Sequence, residues 1–475
     1  MDRQYSSNEG HEATAQAFQE IAMSVGPKSS ARKDRKPRKL ILLDEAFDAR
    51  DRRSMSSALG DRYSFSKAAS SALTSAGAIA MADDAGGEMV VFPDLGVAAG
   101  DFSASELKAL ASKGIIDETH VFENETRSLP PLVIEDSPYG AASTAATALA
   151  LPIDLSTQLQ MNYLRGMRDA IDMVLGQIGG RAPSLSAAPV TAPQVATYSW
   201  CLEMIGVHPH TATGNNVTVA ILDTGVDPGH PDLMHHFVGG RGMESFVRGV
   251  RPLDGHGHGT HCAGVVAGTM SPQAGPRYGV APGVTLLIGK VLDDDGNGDD
   301  DQIMAGIQWA VAQGADVISM SLGSRRPLGG RYSTPYEGLA RVLAKKGILL
   351  IAAAGNDSRR PNDIAPINNP GACPSFKAVA ALDRWSNIAP FSCGEDDIAK
   401  VAISAPGMGV HSAWTGGGYK LLSGTSMATP HVAGAAALWV QRLGKKPHLW
   451  EALSKATRKL TPTSDFGAGL IRVPN

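Results

Sequence analysis

The sequence predicts an α/β fold in which helices cover both faces of a parallel sheet, preceded by a smaller α/β unit. Short apolar runs alternate with helical patterns after residue 200, which is the arrangement of repeated strand–helix–strand units. The chain has 475 residues, more than one ordinary compact unit, so a second unit is expected. Its 53 glycines and 43% hydrophobic residues fit a packed core with many tight turns.

The amino-terminal part of the chain is predicted to contain a polar tail and a small folded unit. The tail, residues 1–38, ends in a basic run that could bind nucleic acid, although a solvated flexible tail is the simpler interpretation. Apolar runs of strand length follow the tail. Ser103 and Glu106 have the spacing of a helix capping box, which predicts a short helix ending near Gly114. We therefore expect a small α/β unit over residues 39–126.

A linker and a large domain are expected to follow. Residues 127–198 are rich in Pro, Ala, Ser and Thr, which indicates a linker with one helix. The large domain is expected over residues 199–475. Its parallel strands are predicted at residues 217–222, 285–291, 317–320 and 348–353.

Composition and charge argue against several partners. The formal net charge of -4 gives no general attraction for nucleic acid or for an anionic membrane. No apolar stretch approaches the roughly 20 residues that a membrane helix needs. The start of the chain lacks the basic residues and apolar run of a secretory signal, so a cytoplasmic location is expected.

The cysteines give little indication of a disulfide framework. There are four, Cys201, Cys262, Cys373 and Cys393, which is too few for a disulfide scaffold in a chain of this length. Their spacing makes no zinc signature. Cys373 and Cys393 could still pair in an oxidising compartment, so the sequence leaves that disulfide open.

Three motifs in the large domain carry the residue types of a nucleophilic hydrolase. The first predicted strand ends in Asp-Thr-Gly, which places Asp223 at the carboxyl edge of the sheet. His258 stands in a glycine-rich His-Gly-Thr-His motif. Ser426, in Gly-Thr-Ser-Met-Ala, begins an apolar helical run whose amino terminus favours negative charge. A serine hydroxyl is a weak nucleophile that needs a base, and the base needs an orienting acid.

Each motif alone has an ordinary explanation. Asp-Thr-Gly occurs in aspartic proteases and in many turns. His256, His258 and His261 could form a metal loop, but no carboxylate-containing zinc-protease pattern accompanies them, so we assign no metal ligand. The three motifs in the chain order Asp, His, Ser favour catalysis over these explanations.

Together the motifs resemble those of the subtilisin-like serine proteases, over about residues 200–475. The resemblance implies a subtilisin-like parallel sheet and a catalytic triad of Asp223, His258 and Ser426. It further implies that Asn356, which follows an apolar strand, donates its amide to the oxyanion of the tetrahedral intermediate. The implied activity is endoproteolysis of polypeptide substrates through an acyl-enzyme on Ser426.

The resemblance also implies a substrate groove between two short segments. These are Ser321, Leu322 and Gly323 on one wall and Ala353, Ala354 and Gly355 on the other. An acidic loop at residues 293–301 corresponds to a family loop that edges further subsites. We expect Asp294 and Asp295 of this loop to favour Lys or Arg in the substrate.

No organic cofactor is implied, and calcium is left open. Asp232 matches one calcium ligand found in many family members, whereas residues 269–277 lack the other expected ligands. Cys262 lies near His258 in the chain, as in family members with a thiol beneath the active site. An inert buried cysteine is the simpler interpretation of Cys262.

The amino-terminal unit, residues 39–126, resembles the small inhibitor-type propeptides of the family. This resemblance implies that the chain's own amino-terminal segment is an intramolecular inhibitor, removed by self-cleavage between about Ser128 and Tyr198. An independent partner-binding module is the competing interpretation of this unit. For the whole chain, the competing class is a catalytically silent subtilisin-like binding protein.

Overall fold

The structure is a computed structural model that describes residues 38–43, 63–65, 79–83, 88–136, 198–209, 211–444 and 448–474. All of these residues belong to one compact unit of the chain. The polar tail up to residue 37 and the helix expected in the linker lie outside the described residues.

An antiparallel sheet of six strands forms the amino-terminal unit. Its strands are β1 (Lys39–Leu42), β2 (Tyr63–Phe65), β3 (Ile79–Asp83), β4 (Glu88–Phe92), β5 (Val97–Gly100) and β6 (Val121–Glu123), in the spatial order β2-β3-β4-β5-β1-β6. Helix α1 (Ala104–Ser112) packs on one face, and a 3₁₀ turn (Glu118–His120) follows it. The predicted capping box is present, since Ser103 and Glu106 bond each other's backbone N–H groups.

The remaining strands belong to three sheets. They are β7 (Thr126–Ser128), β8 (Val133–Asp136), β9 (Thr218–Asp223), β10 (Met243–Ser245), β11 (Thr285–Lys290), β12 (Asn297–Asp299), β13 (Val317–Met320), β14 (Leu349–Ala353), β15 (Lys377–Leu382), β16 (Ile403–Pro406), β17 (Val410–Trp414) and β18 (Gly418–Ser423). The central sheet is parallel, with the order β10-β11-β9-β13-β14-β15-β16. The four predicted parallel strands are confirmed to within one residue at each end. β12 pairs with β7, and β17, β18 and β8 form a third antiparallel sheet.

Helices cover both faces of the central sheet, as predicted. They are α2 (Trp200–Ile205), α3 (His258–Ala267), α4 (Asp300–Ala312), α5 (Thr334–Lys345), α6 (Thr425–Leu443), α7 (Leu449–Lys455) and α8 (Thr463–Phe466), with a 3₁₀ segment at Met234–Gly240. Side chains alternate across a strand, so Val219 and Ile221 of β9 face α3 and α6, whereas Ala220 and Leu222 face α4 and α5. Among the described residues, no helix combines the length and apolarity that crossing a bilayer requires.

The same alternation docks the amino-terminal sheet on the large domain. Ile41 of β1 packs on the α1 side, whereas Leu40 joins the core formed by α4 and α5. Arg38 forms an ion pair of 2.6 Å with Asp301 at the start of α4. Both faces of β1 are therefore buried, one on the side of α1 and one by the large domain.

The four cysteines are buried free thiols in this structure. Cys373, one member of the pair that the sequence left open, donates to the carbonyl oxygen of Ser333 at 3.3 Å. Cys393, the other member, accepts from the backbone N–H of Asp357 at 3.4 Å. The disulfide between them is thus not formed here.

Candidate active site

Asp223 and His258 lie side by side at the carboxyl edge of the central sheet. β9 delivers Asp223 as its last residue, and His258 is the first residue of α3. Asp223 Oδ1 lies 2.7 Å from His258 Nδ1, and both side chains are fully buried. Burial by itself disfavours the imidazolium, but the Asp223 carboxylate and the neighbouring Cys262 together outweigh burial and raise the pKa of His258 above its usual value. Nδ1 therefore carries the proton that faces the carboxylate, which leaves Nε2 as the basic nitrogen.

A glycine allows the imidazole to reach this position. Gly257 caps α3 with a φ of 105°, a left-handed conformation that strains residues with a side chain. A Cβ at this position would lie 2.3 Å from the ring of Trp414. The glycine-rich motif around His258 therefore meets a requirement of both backbone conformation and space.

Asp254 connects the end of β9, which carries Asp223, with the start of α3, which carries His258, a role that sequence reasoning did not assign. Its carboxylate accepts from the Thr224 hydroxyl at 2.8 Å, from Gly257 N at 2.7 Å, and from the Thr260 backbone and hydroxyl at 2.8 and 2.6 Å. Burial would raise the pKa of Asp254, but these hydrogen bonds outweigh burial and lower it. The signal in the sequence was an aspartate between two glycine-rich turns with a hydroxyl residue six positions later.

Ser426 lies in the first turn of α6, where the free amide groups and the dipole of the helix favour negative charge. Its Oγ donates to the carbonyl oxygen of Ser321 at 3.3 Å, and Ser321 Oγ donates to the carbonyl oxygen of Ser426 at 2.8 Å. Within the described part of the chain, Nε2 of His258 has no hydrogen-bond partner. The serine hydroxyl thus points to Ser321 in this state.

Cys262 occupies the space beneath these groups. Its Sγ lies 3.9 Å from His258 Nδ1 and 3.6 Å from the carbonyl oxygen of Ser426. Burial raises the pKa of this thiol. Among the described residues, the acidic, histidine and cysteine side chains close enough to share a metal ion are Asp223, His258 and Cys262. The three histidines of the glycine-rich motif do not form such a group, since His261 instead bonds the carbonyl oxygen of Val410.

Asn356 lies next to Ser426, after the carboxyl end of β14. Its Oδ1 accepts from the backbone N–H of Thr425 at 2.8 Å and from the Thr425 hydroxyl at 2.7 Å. These bonds fix the amide orientation, so Nδ2 points away from the helix. Nδ2 donates to the carbonyl oxygen of Pro131 at 2.7 Å. The predicted oxyanion donor therefore already holds a carbonyl of this chain.

Residues 126–136, here called the groove segment, supply that carbonyl. The first part of the segment, β7, pairs antiparallel with β12. Ser128 and Gly323 donate a backbone hydrogen bond to each other at 3.0 Å, and Leu129 donates to Gly296 at 2.9 Å. Because Gly323 belongs to a predicted groove wall, the segment lies where a substrate backbone is expected.

The groove segment continues past Ser426. Pro130 and Pro131, which carry no backbone N–H, lead to β8, where Val133 pairs with Ser423 of β18. The segment is thus held on both sides of Ser426, and both Ser426 and His258 are shielded from solvent. The sequence placed residues 127–136 in the linker, whereas the structure places residues 127–128 in β7 and residues 133–136 in β8, because the backbones of β12 and β18 pair with them.

The two predicted groove walls have different surroundings. Ser321 and Gly323 contact Ser426 and the groove segment, while Leu322 is buried in the core beneath. Ala353 ends β14, Ala354 is buried, and Gly355 has a φ of 110°. A Cβ on Gly355 would lie 2.6 Å from the Asn368 side chain, which places Asn368 against this second wall.

The acidic loop, residues 293–301, was expected to favour basic substrate residues through Asp294 and Asp295, but several of its carboxylates have partners within the protein. Asp294, whose side chain is exposed, forms an ion pair of 2.6 Å with the buried Lys290, and this pair offsets its charge. The carboxylate of Asp293 accepts from two backbone N–H groups of its own loop. Asp300, the first residue of α4, instead contacts a basic side chain of the groove segment, Arg127.

Asp232 lies in a buried hydrogen-bonded cluster. Its Oδ1 accepts from Gln273 N at 3.0 Å, and its Oδ2 accepts from the hydroxyls of Tyr278 and Tyr419 at 2.6 and 2.9 Å. Burial raises the pKa of both tyrosines, so both hydroxyls stay protonated. Both carboxylate oxygens are occupied by donors, and this donor set does not fit a calcium ion.

The fold and the site together define a hydrolase with an Asp–His pair, a serine at a helix amino terminus and an amide donor beside it. Residues 214–469 match the model of the Subtilase family. Subtilisin E of Bacillus subtilis (strain 168) is 38% identical over 274 residues, covering 56% of this chain and 67% of that protein. Subtilisin of Bacillus pumilus is 38% identical over 274 residues, covering 56% of this chain and 93% of that protein. Subtilisin DY of Bacillus licheniformis is 41% identical over 266 residues, covering 55% of this chain and 90% of that protein.

The chain belongs to the subtilase family and is a subtilisin-like serine endopeptidase. The alternative of a catalytically silent binding protein is not favoured by these relatives. The residues that the family model matches lie within the large domain.

Proposed function

We propose that Asp223, His258 and Ser426 are the catalytic triad, with Asn356 as an oxyanion donor, and that residues 39–136 inhibit this site until they are displaced. The observation that carries the proposal is the carbonyl of Pro131, which Asn356 holds while the groove segment covers Ser426. A peptide carbonyl at an amide donor beside a serine is the arrangement that precedes acyl transfer.

In the proposed reaction, Ser426 Oγ attacks a substrate carbonyl and transfers its proton to His258 Nε2. Asp223 holds the imidazole through Nδ1 and stabilises the imidazolium that forms. Asn356 Nδ2 donates to the developing oxyanion. His258 then gives the proton to the leaving amine, and a water molecule hydrolyses the acyl-enzyme by the same steps.

The amino-terminal unit acts as an inhibitor through two attachments. Its sheet packs on α4 and α5, and its groove segment fills the substrate site. Pro130 and Pro131 offer no N–H to the carbonyl oxygen of Ser321, to which the Ser426 hydroxyl itself donates. The Pro131–Leu132 bond is therefore presented to Ser426 in a poorly reactive form, and we expect slow self-cleavage there.

No cofactor is needed for this chemistry, and we propose that Asp232 serves as a hydrogen-bond acceptor for two tyrosines rather than as a calcium ligand. Polypeptides are the expected substrates. A cytoplasmic location is part of the proposal, since free buried thiols suit a reducing compartment.

The inhibitor proposal is tested with a variant that loosens the groove segment. Replacing Leu129 and Leu132 with aspartate should weaken the segment and increase the initial rate on an unrelated peptide, because a solvated charge opposes burial in the groove. The matched control is the same pair of aspartates at the exposed positions Val238 and Leu328. Equal initial rates for wild type and the groove variant would contradict the inhibitory role.

A further inference from the structure

The side chain of Arg127 enters a buried pocket in the large domain. Arg127 belongs to the groove segment and has 1% of its surface exposed. Its Nε and Nη2 donate to Asp300 Oδ1 and Oδ2 at 2.7 and 2.9 Å, a two-pronged arrangement that matches a planar guanidinium. Nη1 also donates to the hydroxyl of Ser324.

Tyr336 completes the pocket. Its hydroxyl donates to Asp300 Oδ1 at 2.8 Å, and the guanidinium of Arg127 lies 5.4 Å from the centre of its ring. The pocket therefore offers a carboxylate with fixed orientation, a hydroxyl acceptor and an aromatic face. Arg127 also contacts Glu125 at 2.9 Å, but Glu125 is part of the same amino-terminal chain and would leave with it.

The Asp300 carboxylate makes this pocket favour a cationic side chain. Burial raises the pKa of Asp300, and the guanidinium opposes that shift by favouring the carboxylate. Once the amino-terminal chain has left, the Asp300 carboxylate keeps the Tyr336 hydroxyl as a donor and loses both Arg127 and the backbone N–H of Glu125. A buried charge without its counter-ion is costly, so the empty pocket should select a basic side chain from whatever peptide enters the groove.

The backbone contacts show that Arg127 is held as part of a peptide in the groove. Arg127 is the middle residue of β7, opposite Gly298 of β12, and the next residue, Ser128, pairs with Gly323. The pocket thus receives the side chain of one fixed position of any extended peptide that pairs with β12 and Gly323.

We infer that Asp300, Tyr336 and Ser324 form a specificity site that selects substrates with an arginine at the fifth position before the cleaved bond, the position that Arg127 holds before the Pro131–Leu132 bond. This inference rests on the proposed function, because it requires that substrates take the path of the groove segment. Lysine is the weaker ligand, since an ammonium group cannot form the two-pronged contact with Asp300.

The test compares fluorescence-quenched peptides on protein that is expressed at full length and then treated by limited proteolysis to remove the groove segment, because Arg127 otherwise occupies the pocket. One arginine is moved through the third to sixth positions before the cleaved bond, in an otherwise constant peptide, and lysine, citrulline and alanine are then placed at the best position. Arginine at the fifth position should raise kcat/KM about 10–100-fold over alanine, as expected for charged hydrogen bonds. Citrulline keeps the shape of arginine without its charge and should behave like alanine.

Variants separate this pocket from general charge effects. Asp300→Asn should bring the ratio of kcat/KM for the arginine peptide to kcat/KM for the alanine peptide close to one. The neighbouring Asp301→Asn, which loses the contact with Arg38, should leave this ratio unchanged. Tyr336→Phe removes one hydroxyl and should lower the ratio by several-fold, which keeps the test decisive if Asp300→Asn does not fold.

Each outcome has a defined meaning. A ratio near one in the wild type, or an unchanged ratio in both Asp300→Asn and Tyr336→Phe, would overturn the arginine site while leaving the protease proposal intact. Hydrolysis of neither peptide by wild type that has lost the groove segment would instead overturn the proposed catalytic function, and with it the inference. An arginine preference that Asp300→Asn abolishes supports both the arginine site and the proposed catalytic function.

Discussion

The side-chain amide of Asn356 donates to the carbonyl oxygen of Pro131 at 2.7 Å. A peptide bond of the chain itself therefore lies where a substrate bond is expected to be cleaved. The residues on either side are held by backbone pairing, Ser128 with Gly323 and Val133 with Ser423. The same groove that would bind substrates thus binds the amino-terminal segment.

Loss of the amide donor should slow the chemical step. Asn356→Ala is expected to lower kcat by about 10²–10³-fold with little change in KM, because the donor acts mainly on the oxyanion of the transition state; this range was measured for subtilisin itself. Steady-state kinetics with a peptide ester and a peptide amide would check it. A variant that raised KM at unchanged kcat would show that Asn356 only binds the ground state.

The pH dependence of turnover should follow His258. Since the Asp223 carboxylate and Cys262 together outweigh burial and raise the pKa of His258, the neutral base forms only above the usual value of 6.5. We expect kcat/KM to rise with pH, with the midpoint of the rise above pH 6.5. Asp223→Asn should move this midpoint to lower pH and reduce turnover by about 10⁴-fold. A wild-type midpoint below the usual value would contradict the assigned pairing.

Asp254 should contribute to stability as well as to the geometry of the site. Asp254→Asn, made on a Ser426→Ala background to prevent self-digestion, should lower the free energy of unfolding by about 2–4 kcal/mol at pH 7, because buried donors lose their acceptor. The exposed Asp397→Asn is the control, with an expected change within about 0.5 kcal/mol. Urea unfolding measures both.

The same residue gives a prediction for acid conditions. The pKa of Asp254 is lowered in the folded state, so its contribution is present above the unfolded value of 3.8 and is lost as pH falls through the folded value. The stability difference between Asp254→Asn and its parent should therefore shrink below pH 3.8. A difference that stays constant to lower pH would show that the carboxylate charge is not what stabilises the fold.

The two prolines of the groove segment should slow self-cleavage. Pro131→Ala supplies an N–H beside the carbonyl oxygen of Ser321 and should speed cleavage of the bond between residues 131 and 132 by about tenfold or more, as one hydrogen bond in the groove allows. The exposed Pro209→Ala is a control for proline removal elsewhere. Time-resolved mass spectrometry of freshly refolded protein measures the rates. Equal rates for wild type and Pro131→Ala would remove the protective role of the proline.

Much of the large domain could be predicted from the sequence because its signals are local. Apolar runs of strand length marked β9, β11, β13 and β14, and each ended next to a residue of the site or the groove. The order of the three motifs then indicated the chemistry, and the structure brings Asp223 and His258 into contact.

Other features depend on contacts between distant parts of the chain. The groove segment lacks a strong strand pattern, because its stability comes from pairing with β12 and β18 rather than from its own side chains. The contact between Arg127 and Asp300 joins residues 173 positions apart. The acidic loop suggested a preference for basic residues, but only the fold shows that Lys290 offsets the charge of Asp294.

The most direct test of the central claim is intact-mass spectrometry of wild type and Ser426→Ala, each with and without a fluorophosphonate probe. The account predicts that wild type loses the residues before Leu132 and gains one probe molecule, whereas Ser426→Ala stays full length and unlabelled. Wild type that labels but is never shortened would contradict self-cleavage. Wild type that does not label, even after limited proteolysis has removed the groove segment, would contradict the assignment of Ser426 as the nucleophile.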